Sequence, residues 1–178
     1  MLDDQQKKVL RESWRLVVPI ADTAADLFYK RLFELKPEYR ALFKSDMAAQ
    51  KRKLVSMLAF IVKSVDWPDD AWRENVPEED DLFLIVLALG RRHSDLYNVP
   101  DAAYDTVGEA LIWTLDYGLG KAFTSEARAA WTQLYKLLAT TMKMGRLSVQ
   151  TVEEGERVIR KIVEPGPAAR STTQTQEG

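Results

Sequence analysis

The sequence predicts an all-α protein, and three observations carry the prediction. Apolar residues recur at intervals of three and four along the body of the chain, not at the interval of two that a half-buried strand requires. Capping residues and prolines punctuate these periodic segments at Asp3, Pro19, Pro37, Asp46, Pro100 and Thr124. No apolar run approaches the roughly 18 residues that a membrane-spanning helix needs; the nearest, Leu82 to Gly90, is half as long.

Each helix follows from local signals. Asp3 or Asp4 caps a first helix that carries Val9, Leu10, Trp14, Val17 and Val18 inward, and Pro19 ends or bends it. A second runs from about Ile20 to Leu35, burying Ala24, Leu27, Phe28 and Leu32, and Lys36-Pro37 breaks it. A short helical turn then leads to Leu42-Phe43. Ser45 or Asp46 caps a third long helix with Gln50, Leu54, Met57, Leu58 and Ile61 on one stripe. Trp67 to Glu79 reads as an acidic, proline-containing connection. The fourth helix begins amid Pro77, Glu78, Glu79, Asp80 and Asp81, as helix N-termini prefer, and ends before Asn98 and Pro100. Pro100-Asp101 opens a fifth with Tyr104, Val107, Leu111 and Leu115 aligned. Thr124-Ser125-Glu126 begins a sixth with Ala127, Trp131, Leu134 and Leu138 inward.

Residues 1–146 thus read as one domain. Residues 147–164 are expected to form a further amphipathic helix with Val152, Val158, Ile159 and Ile162 apolar, weakened by Gly155. Residues 165–178 have almost nothing to bury and are expected to be disordered.

Composition narrows the function. A net charge of −2 argues against a nucleic-acid partner, and 46% hydrophobic residues exclude disorder throughout. The absence of cysteine fits a reducing compartment, and MLDDQQKKVL lacks the apolar stretch of a signal peptide, so a cytoplasmic location and no membrane partner are expected.

The chemistry centres on FLIVLALGRRHSDLYNVP, Phe83 to Pro100, which holds the only histidine of the chain. Val86, Leu89 and His93 share one helical face. Such a histidine is often a core residue whose nitrogens have found partners. As a metal ligand it has few options. Zinc requires three or four protein ligands of kinds this chain hardly supplies. A cysteine protease is impossible without cysteine, and there is no Gly-x-Ser-x-Gly elbow. Haem iron needs only one strong protein ligand, because the porphyrin provides four nitrogens.

The ordered set Trp14, Phe28-Tyr29, Pro37, Phe43, Gln50, Leu54, His93, Pro100 and Trp131 resembles a globin over residues 3 to 145. Single-domain bacterial haemoglobins and the globin domain of flavohaemoglobins look closest. LFYKRLFELKPEYRALF resembles their second and third helices, and YDTVGEALIWTL the helix after the proximal histidine. The resemblance implies a three-over-three helical sandwich around haem b (iron protoporphyrin IX). It makes His93 the proximal ligand, with Tyr29 and Gln50 facing the open coordination position. Phe28 and Phe43 would contribute aromatic walls, with Phe43 against the haem ring, and Leu54 the apolar distal wall. Leu89, Val99, Tyr104 and Val107 would line the proximal side. Lys53 and Arg92 are candidates for the haem propionates, since cations suit carboxylates at a pocket edge. Taken singly, Tyr29 and Phe43 are equally read as core aromatics, and Gln50, Lys53 and Arg92 as solvated surface.

Three departures from that pattern matter. The span from Gln50 to His93 exceeds the usual one by roughly three helical turns, and the extra length is placed in SVDWPDDAWRENVPEEDD. Counting back from His93 would instead put the distal position near Ser64. The resemblance also leads one to expect a carboxylate late in the last helix, partnering Tyr104. Thr140 to Ser148 has none and carries Lys143 and Arg146. Finally, no flavin or nicotinamide domain is seen, so an external reductase is expected for any redox cycle. The implied function is reversible binding of diatomic gases (O2, NO, CO), with nitric oxide dioxygenation as a candidate activity. A haem-based gas or redox sensor signalling to a partner is the alternative; a haem-free helical interaction module is a third.

Overall fold

A computed structural model describes residues 2–44, 46–65, 82–96 and 98–145. Among the described residues there are six α-helices and no strand: α1 (Asp4–Val17), α2 (Ala21–Leu35), α3 (Met47–Ser64), α4 (Leu82–Asp95), α5 (Asp101–Leu119) and α6 (Ser125–Met144). Short 3-10 turns at Val18–Ile20, Pro37–Leu42 and Gly120–Ala122 join some of them. The acidic connection and the expected C-terminal helix and tail lie outside the described residues.

The helix ends follow the local chemistry. Asp3 and Gln6 form a reciprocal capping box on α1, Asp46 accepts from Ala48 and Ala49 at the start of α3, and Thr124 accepts from Ala127 on α6. Such a cap satisfies an N–H that the helix itself cannot, and contributes about 1 kcal/mol. Of the two candidates at the start of α3, Asp46 is the residue that caps. Asn98 takes positive φ after α4, a conformation that asparagine tolerates better than most residues.

The helices pack as a three-over-three sandwich, the architecture that the resemblance implies. α1 packs against α6 and α3, α2 against α5 and α3, and α4 against α6. Leu10, Phe28, Leu32, Ile85, Ala110, Leu115 and Trp131 fill the core between them. The Trp131 indole donates to Ser13 Oγ at 2.9 Å, and Ser13 donates in turn to the Val9 carbonyl at 2.7 Å. The polar edge of the largest core side chain is therefore satisfied without water.

Three inward assignments change. Val18 is 56% exposed, because the 3-10 turn at Val18–Ile20 rotates it off the α1 stripe. On α2 the buried stripe is Ala25, Phe28, Tyr29 and Leu32, while Ala24 and Leu27 sit half-buried at its edge. Both aromatics enter the core because α5 and α3 cover adjacent sides of α2.

The seating of α4 depends on two glycines. A Cβ on Gly90 would collide with the Met142 backbone, and one on Gly145 with the Leu87 carbonyl. The helix bearing His93 and the end of α6 thus approach backbone to backbone, closer than any side chain at these positions permits.

Candidate functional site

His93 lies on the last turn of α4, with Nδ1 2.7 Å from the Leu89 carbonyl oxygen. A carbonyl only accepts, so Nδ1 carries the hydrogen and Nε2 carries the lone pair. Part of the ring's surface is exposed, yet desolvation still holds the imidazole below the ordinary histidine range. The hydrogen bond to Leu89 opposes that shift, and the charge of Arg92 adds to it. A neutral ring of fixed tautomer is the form that ligates a metal. The Val99 amide donates to the His93 carbonyl at 2.9 Å, tying the loop after α4 to the same residue. The Tyr104 ring of α5 lies 6.5 Å from the imidazole, centroid to centroid.

A second group forms where α2 meets the start of α3. The Tyr29 hydroxyl donates to the backbone carbonyl of Gln50 at 3.4 Å. Burial pushes its pKa up to about 12, so at neutral pH it is a phenol with a proton to donate. Around it, Phe28 and Phe43 stand edge-on at 5.1 and 5.3 Å. Phe33 lies 6.0 Å from Tyr29 and 5.6 Å from Phe43. Aromatic pairs in such arrangements contribute about 0.5–1.5 kcal/mol each beyond burial and fix the phenol's position. Phe33 is absent from the residues selected by sequence; its signal was the four-residue spacing from Tyr29, which shares a helical face.

The remaining candidates sit on α2, α3, α4, α5 and the segments joining them. Phe43, Leu54, Leu89, Val99 and Val107 all pack on the core yet remain only half-buried. Lys53 and Arg92 are half-buried as well. Phe28, by contrast, is fully a core residue. Ser64, the alternative distal position, is completely buried and donates to the Phe60 carbonyl at 2.8 Å. Its hydroxyl is thus satisfied within α3 itself.

Among the described residues no group of three or more His, Cys, Asp or Glu could hold a bare metal ion. One imidazole, half-buried apolar residues on several elements and nearby cations instead fit a flat, apolar group with carboxylate substituents whose metal already has its equatorial ligands. Also among the described residues, no helix is long and apolar enough to cross a membrane.

The globin family model matches residues 26–142. A neuroglobin of Dissostichus mawsoni is 30% identical over 147 residues, covering 81% of this chain and 92% of the neuroglobin. One from Chaenocephalus aceratus is 29% identical over the same shares. A solved structure described as the closed form of the HGbRL's globin domain is 33% identical, covering 88% of this chain and 98% of its own, with a TM-score of 0.34.

Proposed function

The chain belongs to the globin family, and from that premise we propose that it binds haem b through His93 and takes up O2 on the side of Tyr29 and Gln50. Globins as a family bind diatomic gases at haem. The observation that carries the residue assignment is the His93 tautomer, fixed by the Leu89 carbonyl so that Nε2 is the basic nitrogen.

Bound haem supplies one iron with an open coordination position. The residues of the chain supply everything else. His93 would hold the iron through Nε2, and the hydrogen bond to the Leu89 carbonyl orients the ring for it. Leu89, Val99, Tyr104 and Val107 form the apolar proximal wall, while Phe43 and Leu54 exclude water on the distal side. Lys53 and Arg92 offer charge-assisted bonds to the two propionates. The Tyr29 hydroxyl donates its proton to the Gln50 carbonyl. It can turn that proton toward a ligand that gains negative charge, where a donor in a dry pocket is most effective.

With electrons from a separate reductase, we further propose that the protein consumes nitric oxide by dioxygenation in the cytoplasm. A spectrum tests the core reading. Protein purified with haem should show a Soret band and an O2 complex that forms and dissociates reversibly; colourless protein that takes up no added haem would sink it.

A further inference from the structure

Lys143 lies on the last turn of α6, with Nζ 5.5 Å from the centroid of the Tyr104 ring. The Tyr104 ring in turn lies 6.5 Å from the imidazole of His93. Ammonium, phenol ring and imidazole therefore stand in sequence across the α4, α5 and α6 junction. A cation within about 6 Å of an aromatic centroid is attracted by the ring's quadrupole, so the phenol serves as a seat for the charge.

That seat is rigid. Tyr104 is buried, and its backbone carbonyl accepts a hydrogen bond from the Tyr135 hydroxyl. Gly108, one turn later, has no side chain, and a Cβ there would run into the Tyr135 ring. The same end of α6 is pinned to α4 through Gly90 and Gly145. Lys143 is consequently held near His93 by packing rather than by a flexible loop. Of the cations on α4, Arg91 is ion-paired with Asp95, while Arg92 adjoins His93 in sequence.

We propose that Lys143 is a positioning residue that tunes the site on His93. Its charge, seated on Tyr104, favours the less positive, reduced state of the metal. This rests on the reading of His93 as the haem ligand. The ammonium accepts no proton, and the Nδ1 hydrogen of His93 stays on the Leu89 carbonyl, so the charge acts on the site through space.

The two separations put the ammonium within about 12 Å of the imidazole centroid. At an effective dielectric near 20, a unit charge at about that distance changes the ferrous-to-ferric ratio by at most about tenfold, since Lys143 is half-buried and partly screened. For a one-electron couple a tenfold change is about 59 mV.

Redox titration of the haem-loaded protein and three variants is the test. Lys143→Met keeps the bulk and should lower the ferrous-to-ferric ratio at a fixed potential by up to about tenfold, while Lys143→Glu should lower it further, since it reverses the charge. Lys143→Arg, which keeps the charge, should stay close to the parent. Potentials unmoved in Met and Glu variants would overturn the proposal. So would an Arg variant shifted as far as the Met variant, since packing rather than charge would then be responsible. A parent protein that binds haem and O2 while the variants titrate alike would sink this inference alone; a parent that takes up no haem would sink the functional reading with it.

Discussion

The Nδ1 of His93 donates to the carbonyl oxygen of Leu89, one turn earlier on the same helix, at 2.7 Å. This bond decides which ring nitrogen is basic, and it forms whenever α4 forms. No second histidine exists in the chain to compete or to occupy the opposite coordination position.

His93→Ala should therefore abolish stable haem retention. The reduced, ligand-free parent should be five-coordinate, because bis-histidine ligation is excluded by count. Absorption spectra of the ferrous forms check both points. A six-coordinate low-spin parent, or a variant with an unchanged spectrum, would show that another residue ligates the iron.

Tyr29→Phe should speed O2 release while leaving CO release within a few-fold, because bound CO carries little charge for a donor to stabilise. A hydrogen bond to a charged acceptor is worth about 1.5–3 kcal/mol, or roughly ten- to a hundredfold in rate. Gln50→Leu tests the amide separately. The phenol is held by the backbone carbonyl of residue 50, which the substitution keeps. Stopped-flow release of both gases measures this, and equal acceleration of O2 and CO would indicate a steric effect instead.

Gly90→Ala should cost about 1–3 kcal/mol or more, since it wedges α4 from the α6 backbone rather than from a yielding side chain. It should also weaken haem retention by moving the helix that carries His93. Gly118→Ala is the control. Its Cβ would meet only the end of Ile20, at 3.4 Å, and helix propensity favours alanine by up to about 1 kcal/mol. Denaturation midpoints of the two variants should move in opposite directions; a shared direction would contradict the close backbone approach.

Alkaline pH should destabilise the protein partly through Tyr29. Burial raises its pKa from 10.0 to about 12, so the folded state holds the phenol proton more tightly than the unfolded chain. The stability from this group is complete below the unfolded value, falls as pH rises, and is gone above the folded one. The difference amounts to about 3 kcal/mol. Burial raises Tyr135 as well, so the slope is shared. Tyr29→Phe should flatten part of it, measured as the change in urea midpoint between about pH 9 and about pH 11.5. An identical slope in parent and variant would show that Tyr29 does not titrate as a buried phenol.

Much of this architecture was determined by the sequence alone. Caps at Asp3, Asp46 and Thr124, breaks at Pro37 and Pro100, and the three-four recurrence of apolar residues act within one helical turn, so neighbours in sequence suffice to specify them. The singular histidine and its spacing from Leu89 are local in the same sense. What only the tertiary structure decided lies across helices. The Tyr29 hydroxyl meets the backbone rather than the side chain of Gln50, and Phe33 joins its cluster. Ser64 falls in the core, and Val18 turns outward. Lys143 comes to rest on Tyr104, 39 positions away. These contacts depend on where one helix crosses another. That crossing is set by the summed packing of whole faces and by two glycines that admit a backbone, and no single turn of sequence carries that information.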